Sequence, residues 1–151
     1  MTDKNKIMLV ASPGGHFVEL SLVAECLQDM HVMIVSTYDE KPSFMYGDEY
    51  FQVSDFSRDN AHVMFKVIRE SYQILKKNKP KLIVTTGAAP GLIMAIVGRF
   101  FGIKSIWIDS IANSQYISLS GKIAKAFGIK VFSQWESVAK SSNSEYHGKL
   151  L

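Results

Sequence analysis

Short apolar runs and stretches of helical spacing alternate along this chain. Ile7-Met-Leu-Val-Ala11 is an unbroken apolar run bounded by Lys6 and by Ser12-Pro13-Gly14-Gly15, the pattern of a strand buried on both faces. From Phe17 the apolar residues fall at 17, 20, 24 and 27, which is helical spacing, until Asp29. Val32 to Val35 is a second strand-like run and completes a βαβ unit. Tyr38 to Asp55 mixes Pro42, Gly47, acids and aromatics without a period, so it reads as a long surface connection with a short strand near Tyr50 to Val53. Connections of that length often carry function. Apolar or aromatic residues at 61, 64, 65, 68, 72 and 75 predict one face of a helix over Asp59 to Asn78, basic toward its end through Lys76 and Lys77.

The alternation continues with a strand over Lys81 to Thr86, an almost wholly apolar helix over Pro90 to Phe101, and a strand over Ser105 to Ile108. A helix from about Ser118 to Phe127 and a strand over Gly128 to Phe132 follow. Such a pattern implies right-handed crossovers and an α/β fold: a Rossmann-like, doubly wound, mainly parallel sheet that binds ligands outside the carboxyl ends of its strands. There is no internal repeat, low-complexity stretch or interdomain linker, so residues 1–151 read as a single domain. The segment Glu136 to Leu151 reads as a tail able to dock on a partner.

Composition narrows the picture. At 151 residues and 47% hydrophobic content the chain can bury a core without disulfides or a structural metal. Its net charge of +3 is too small to argue for nucleic acid. Cys26 stands alone in an apolar helical pattern, which predicts a buried thiol in a reducing compartment. The polar start MTDKNK gives no expectation of a signal peptide. The longest uncharged apolar stretch, Ala88 to Gly98, stops at Arg99, short of the roughly 18–20 residues of a membrane span. A cytoplasmic protein is expected, meeting a membrane from its surface or through a partner. Phe100 and Phe101 beside Arg99 are candidates for such a contact.

Three strand ends carry candidate chemistry. In Ser12-Pro13-Gly14-Gly15-His16, with Glu19 one turn later, two glycines allow close backbone approach and a helix start favours phosphate or a developing anion. His16 is placed there as general base or phosphate donor. The alternative is a plain βα turn with an exposed His, Glu19 complementing the helix dipole. This is neither the dinucleotide fingerprint nor a P-loop. In Thr85-Thr86-Gly87-Ala88-Ala89-Pro90-Gly91 the freed N–H groups can hold an anion, with Thr86 and Gly87 as candidates, or the turn simply lets the helix pack closely. In Trp107-Ile-Asp109-Ser110, Asp109 at a strand's carboxyl end can orient a sugar hydroxyl or pair with His16, with Ser110 beside it, or form an Asx turn. Ser118 to Lys122, with Ser120, and Ser133 to Glu136, with Gln134 and Trp135, can each bind sugar or be an ordinary helix start or strand exit. No spacing suggests a metal site.

Taken in order, SPGGHFVEL at 12–20, TTGAAPG at 85–91, WIDS at 107–110, SLSGKIAK at 118–125, FSQW at 132–135 and the terminal YHGKLL resemble one family. It is the asparagine-linked-glycosylation-fourteen-like family with its bacterial capsular and exopolysaccharide relatives. The resemblance implies the N-terminal, acceptor-side half of a split GT-B glycosyltransferase, working with a separate donor-binding subunit. It further implies a lipid-linked saccharide acceptor, a UDP-sugar donor bound mainly by the partner, no cofactor or metal, and a peripheral site at the inner face of the plasma membrane. By that likeness Gly14, Gly15 and His16 face the acceptor's pyrophosphate or attacking hydroxyl. Eukaryotic members usually carry an N-terminal membrane helix, and often have Glu-Ser then Arg where this chain has Asp109-Ser110 then Asn113. The polar start thus implies a bacterial, peripheral version.

Three functions compete on these grounds. The chain is a subunit contributing residues to sugar transfer, a non-catalytic recruiter that stimulates a partner transferase, or a standalone nucleotide-binding Rossmann protein. The last lacks an obvious ribose-binding signature.

Overall fold

Strand β1 (Lys6–Ala11) sits at the centre of the architecture, in a computed structural model that describes residues 5–150. The polar start at 1–4 and residue 151 of the expected docking tail lie outside the described residues. Alternation along β1 sends Ile7, Leu9 and Ala11 to one face of the sheet and Met8 and Val10 to the other. Helix α1 (Gly15–Glu25) covers the first face with Phe17, Leu20 and Ala24. Strand β2 (His31–Ser36) lies parallel to β1, and β3 (Glu49–Gln52) lies parallel beyond β2. A 3-10 turn over Arg58–Val63 then leads into helix α2 (Met64–Asn78).

The chain crosses back so that strand β4 (Leu82–Gly87) pairs with the other edge of β1. Helix α3 (Ala89–Phe100), strand β5 (Lys104–Ile108), helix α4 (Leu119–Ala126), strand β6 (Lys130–Ser133), helix α5 (Glu136–Ser142) and strand β7 (Glu145–Tyr146) extend the sheet away from β1. The order is β3-β2-β1-β4-β5-β6-β7, with every pairing parallel. Met8, Val10 and Ile83 pack against Leu75 of α2 and Met94 of α3. Trp107 and Val131 pack against Leu92, Ala124 and Val138 from α3, α4 and α5. The α/β, Rossmann-like, doubly wound sheet expected from the alternation is present.

Four local expectations change. The helix expected from Asp59 begins as the 3-10 turn and becomes α-helical only at Met64. Its buried face is Val67, Ser71 and Leu75, a spacing of four that includes a serine, while Phe65 and Tyr72 point outward. Counting every aromatic as core selects the wrong stripe. Cys26 is exposed, not buried: α1 ends at Glu25, and position 26 lies off the 17, 20, 24 stripe that meets the sheet. Glu136 onward is not a free tail, because α5 buries Val138 and Ala139 and β7 closes the sheet edge on β6.

The connection from β2 to β3 has no helix, yet it is held at several points. Met45 is buried at its middle, Asp48 accepts the Val32 N–H at 2.8 Å, and the Tyr50 hydroxyl donates to the Tyr38 carbonyl at 2.5 Å. Burial, with the nearby Asp39 carboxylate adding to it, pushes the Tyr50 phenol up to about 12. A phenol whose proton is held more tightly in the folded state adds stability that is fully present below its unfolded pKa, near 10, and lost as pH rises toward 12. Alkaline titration followed by ultraviolet absorbance should therefore show one phenol lagging the others. Tyr50→Phe should remove that component and flatten the fall in melting temperature over the same interval. A titration unchanged in the variant would refute the assignment.

Candidate functional site

Strand order reverses between β1 and β4. The chain leaves β1 toward β2 on one side and lays β4 on the other, so the loops from these neighbouring strand ends diverge and leave a crevice at the carboxyl edge. Both loops lead directly into helices. Helix α1 starts behind Gly14 at φ 94° and α3 behind Ala88 at φ 70°, and no side chain caps either one. Two helix N-termini thus stand on adjacent strand ends, each with first-turn N–H groups lacking intrahelical partners and with a partial positive charge. Ala88 holds a backbone conformation that glycine favours, at a cost of order 1–3 kcal/mol.

His16 joins the two loops. Its Nδ1 lies 3.1 Å from the Thr86 carbonyl, while the Thr86 hydroxyl donates to the His16 carbonyl at 2.5 Å. A carbonyl can only accept, so Nδ1 carries a proton, and in the neutral form of the ring the lone pair lies on Nε2. Gly87 makes the approach possible: at φ 144° a Cβ there would collide with the imidazole. Open space lies where side chains on Gly14 and Gly15 would project. His16, Gly14, Gly15, Thr86 and Gly87 are therefore brought together, although the Thr86 hydroxyl is occupied by the backbone of His16.

The two carboxylates behave differently from the sequence expectation. Glu19, 3% exposed, accepts from the Ser110 hydroxyl at 3.2 Å, the Ile111 N–H at 3.1 Å and Gln134 Nε2 at 3.4 Å. It is neither a surface complement to the helix dipole nor presented to the crevice: it ties α1 to the loops after β5 and β6. Asp109, expected to face the crevice, is 2% exposed and turned into its own loop. Its oxygens accept from Trp107 Nε1 at 2.9 Å, the Ser118 hydroxyl at 2.5 Å, the Ser118 N–H at 3.0 Å and Asn113 Nδ2 at 3.0 Å. Among the described residues no hydrogen bond joins Asp109 to His16.

Gln134 and Trp135 complete this support. Gln134 donates to the Asp109 carbonyl at 3.0 Å and accepts the Leu150 N–H at 2.9 Å, and Trp135 Nε1 donates to the Ile111 carbonyl at 2.6 Å. Ser120 sits in the first turn of α4 outside this network. Sequence reasoning missed Asn113 and the indole of Trp107 as partners of Asp109. The spacing Trp107-x-Asp109 is the only signal that bears on them, since i and i+2 of a strand end share a face.

Between Ser110 and α4 the pinned loop leaves an open depression of about 310 Å³ lined by residues 112–117. A larger concavity, about 410 Å³, lies at the opposite edge around Leu82, Arg99 and Lys104. We place the site at the carboxyl edge because paired helix N-termini and a free imidazole nitrogen converge there, whereas the larger hollow is formed by the amino ends of strands. Among the described residues no group of three His, Cys, Asp or Glu is arranged for a metal ion, and no helix is long and apolar enough to cross a membrane.

Gly87→Ala should lower unfolding stability by about 1–3 kcal/mol, since the new Cβ meets both a strained φ and the His16 ring. Gly15→Ala should stay within about 0.5 kcal/mol of the parent in urea unfolding, because its Cβ enters open space. Equal losses would contradict this geometry. Glu19→Ala leaves buried Gln134 and the half-buried donors of Ser110 and Ile111 without this acceptor, and a buried orphan costs about 1–3 kcal/mol, so urea unfolding should show a loss of at least that order.

Comparison with known proteins bears on this arrangement. No family model matches the chain. It is 30% identical over 139 residues to the UDP-N-acetylglucosamine--N-acetylmuramyl-(pentapeptide) pyrophosphoryl-undecaprenol N-acetylglucosamine transferase of Caldicellulosiruptor saccharolyticus, covering 82% of this chain and 37% of that protein. It is 33% identical over 86 residues to the UDP-N-acetylglucosamine transferase subunit ALG14 of Yarrowia lipolytica, covering 52% of this chain and 40% of that protein. The chain thus spans well under half the length of the curated relatives it matches. Among solved structures, MurG of Acinetobacter baumannii superposes with a TM-score of 0.71 at 16% identity, over 93% of this chain and 45% of that one. The UDP-N-acetylglucosamine 2-epimerase of Rickettsia bellii superposes with a TM-score of 0.75 at 13% identity, over 97% of this chain and 45% of that one. In fold the chain is equivalent to one Rossmann-like half of the GT-B architecture, and in sequence it is related to glycosyltransferases.

Proposed function

We propose that the chain is the acceptor-side subunit of a two-component glycosyltransferase, pairing with a donor-binding subunit at the inner face of a bacterial membrane. The observation that carries this reading is the His16 imidazole, held through Nδ1–H on the Thr86 carbonyl and flanked by two uncapped helix N-termini. A lipid-linked saccharide supplies both things such a crevice recognises: a pyrophosphate for the helix ends and a hydroxyl for Nε2. In transfer the acceptor oxygen forms a bond to the anomeric carbon of a UDP-sugar, the bond from that carbon to the diphosphate breaks, and the acceptor proton passes to Nε2 of His16. UDP departs with the bonding electrons into the partner's site.

One Rossmann-like unit supplies one wall of a cleft that the GT-B fold builds from two, and similarity to a protein named as a transferase subunit supports placing the other wall on a separate chain. UDP-N-acetylglucosamine is the first donor to try, because both curated relatives are named for it. Capsular or exopolysaccharide assembly is the setting we favour, and no cofactor or metal is invoked. A second reading, a recruiter that stimulates a catalytic partner without touching the sugar, is favoured by one observation: both candidate carboxylates are turned inward, leaving His16 as the one candidate acid–base group at the crevice.

The test is transfer from radiolabelled UDP-sugars to bacterial undecaprenyl-pyrophosphate-linked acceptors, with this chain alone, the donor-binding subunit alone, and both together. Transfer that needs both is expected, and transfer by this chain alone would sink the split-enzyme reading. His16→Ala should lower the joint rate by about 10²–10⁴-fold while complex formation persists. An unchanged rate in that variant would leave the recruiter reading standing.

A further inference from the structure

The loop from β5 to α4 is fixed along its backbone while side chains at its middle are free. The Asp109 N–H donates to the Phe132 carbonyl at 2.8 Å, the Ile111 carbonyl accepts from Trp135, and Ile117 is buried with Ser118 bound to Asp109 behind it. Between those anchors the Asn113 N–H closes a turn on the Ser110 carbonyl at 3.0 Å. Asn113 donates through Nδ2 to Asp109 at 3.0 Å and keeps its Oδ1 unengaged. The side chains of Ser114, Gln115 and Tyr116 are exposed, and among the described residues none of the three makes a hydrogen bond. Tyr116 is 75% exposed, with no other aromatic ring stacked on it among the described residues.

These residues line the depression of about 310 Å³, and no Asp, Glu, Lys, Arg or His is among them. That size falls at the lower end of small-molecule sites, roughly 300–1,000 Å³. The contrast with the crevice at His16 is chemical. There two helices start uncapped, whereas α4 starts behind Ser118, whose hydroxyl accepts the Gly121 N–H at 3.0 Å. A pyrophosphate finds no charge and a capped helix start in the depression. An uncharged ligand rich in hydroxyls finds carboxamides that both donate and accept, a serine hydroxyl and an open ring face. The two places are neighbours on the carboxyl edge, because the Ser110 hydroxyl and the Ile111 N–H rest on Glu19, one helical turn after His16.

We propose that the depression over residues 112–117 is a saccharide subsite, in which the Tyr116 ring takes the face of a neutral sugar unit of the acceptor and the carboxamides of Asn113 and Gln115 take its hydroxyls. The C–H bonds on one face of a pyranose carry partial positive charge, which meets the negative face of an aromatic ring, and the stack removes apolar surface from water on both sides. Polar groups around the ring then select the sugar and its orientation. Tyr116 is by this argument a specificity-determining residue. The inference rests on the acceptor reading given above and adds a second point of contact to it, one that reads the saccharide where the crevice reads the pyrophosphate.

The isotope-labelled full chain is to be titrated with N-acetylglucosamine, glucose and galactose, probes free of lipid and phosphate, while nuclear magnetic resonance follows the amides of 112–117. Saturable shifts at those amides are expected with at least one sugar. They should persist in Tyr116→Phe, which keeps the ring, and affinity should fall about tenfold in Tyr116→Ala. Phe65→Ser, which removes an exposed ring on α2, should change nothing. In the transfer assay with both subunits, Tyr116→Ala should raise the acceptor KM about tenfold and leave kcat and the UDP-sugar KM near the parent values. No shift with any of the three sugars, shifts indifferent to Tyr116→Ala, or an effect confined to the UDP-sugar KM overturns the proposal. So does loss of complex formation in Tyr116→Ala, which would make the ring a contact with the partner. Sugar binding at 112–117 without transfer by the two subunits would fail the function proposed above and leave the subsite standing.

Discussion

The structure depends on the enclosure of β1. A strand of Ile, Met, Leu and Val is paired on both edges, with one register shift against β4 between Val10 and Ala11, and its side chains need cover on both faces. Parallel pairing on both sides then forces the chain to leave in one direction and return in the other. The reversal of strand order, and the crevice above it, follow from burying one apolar run completely. The position of the site is therefore a consequence of the core.

What fills that edge follows from electrostatics. Two helices begin there without side-chain caps, so positive partial charge accumulates where the loops part. The carboxylate close to it, Glu19, points away from the opening and is saturated by neutral donors from two other loops. Asp109 likewise spends its lone pairs on Trp107, Asn113 and Ser118. Both acids brace the walls of the crevice, and neither is turned to its opening. His16 is the exception, because one nitrogen is anchored and the other is not.

Much of this was legible in the sequence. Alternating runs predicted the parallel sheet, and the Gly14-Gly15-His16 and Thr86-Gly87 segments were recognisable as strand ends that open into helices. Glu19 and Asp109 stand out in the sequence as carboxylates beside strand ends, but the direction in which they point does not. Orientation depends on partners far away in the chain, such as Gln134 for Glu19, and a one-dimensional pattern carries no information about such pairs. The α2 face differs from its pattern for a related reason: its contact stripe contains Ser71 while Phe65 and Tyr72 face outward, so hydrophobicity and burial diverge along this helix. The short α5 and β7 escaped notice because neither is long enough to show a period.

The contact between His16 and Gly87 ties together two positions separated by 71 residues. The imidazole occupies the volume that any side chain at 87 would need, so the two sites form one steric unit. In evolutionary terms, a relative that places a larger residue at the second position must also give up or redirect the ring at the first. Substitutions at these two places should arise as a pair, and a lineage that has kept the ring should have kept the glycine with it.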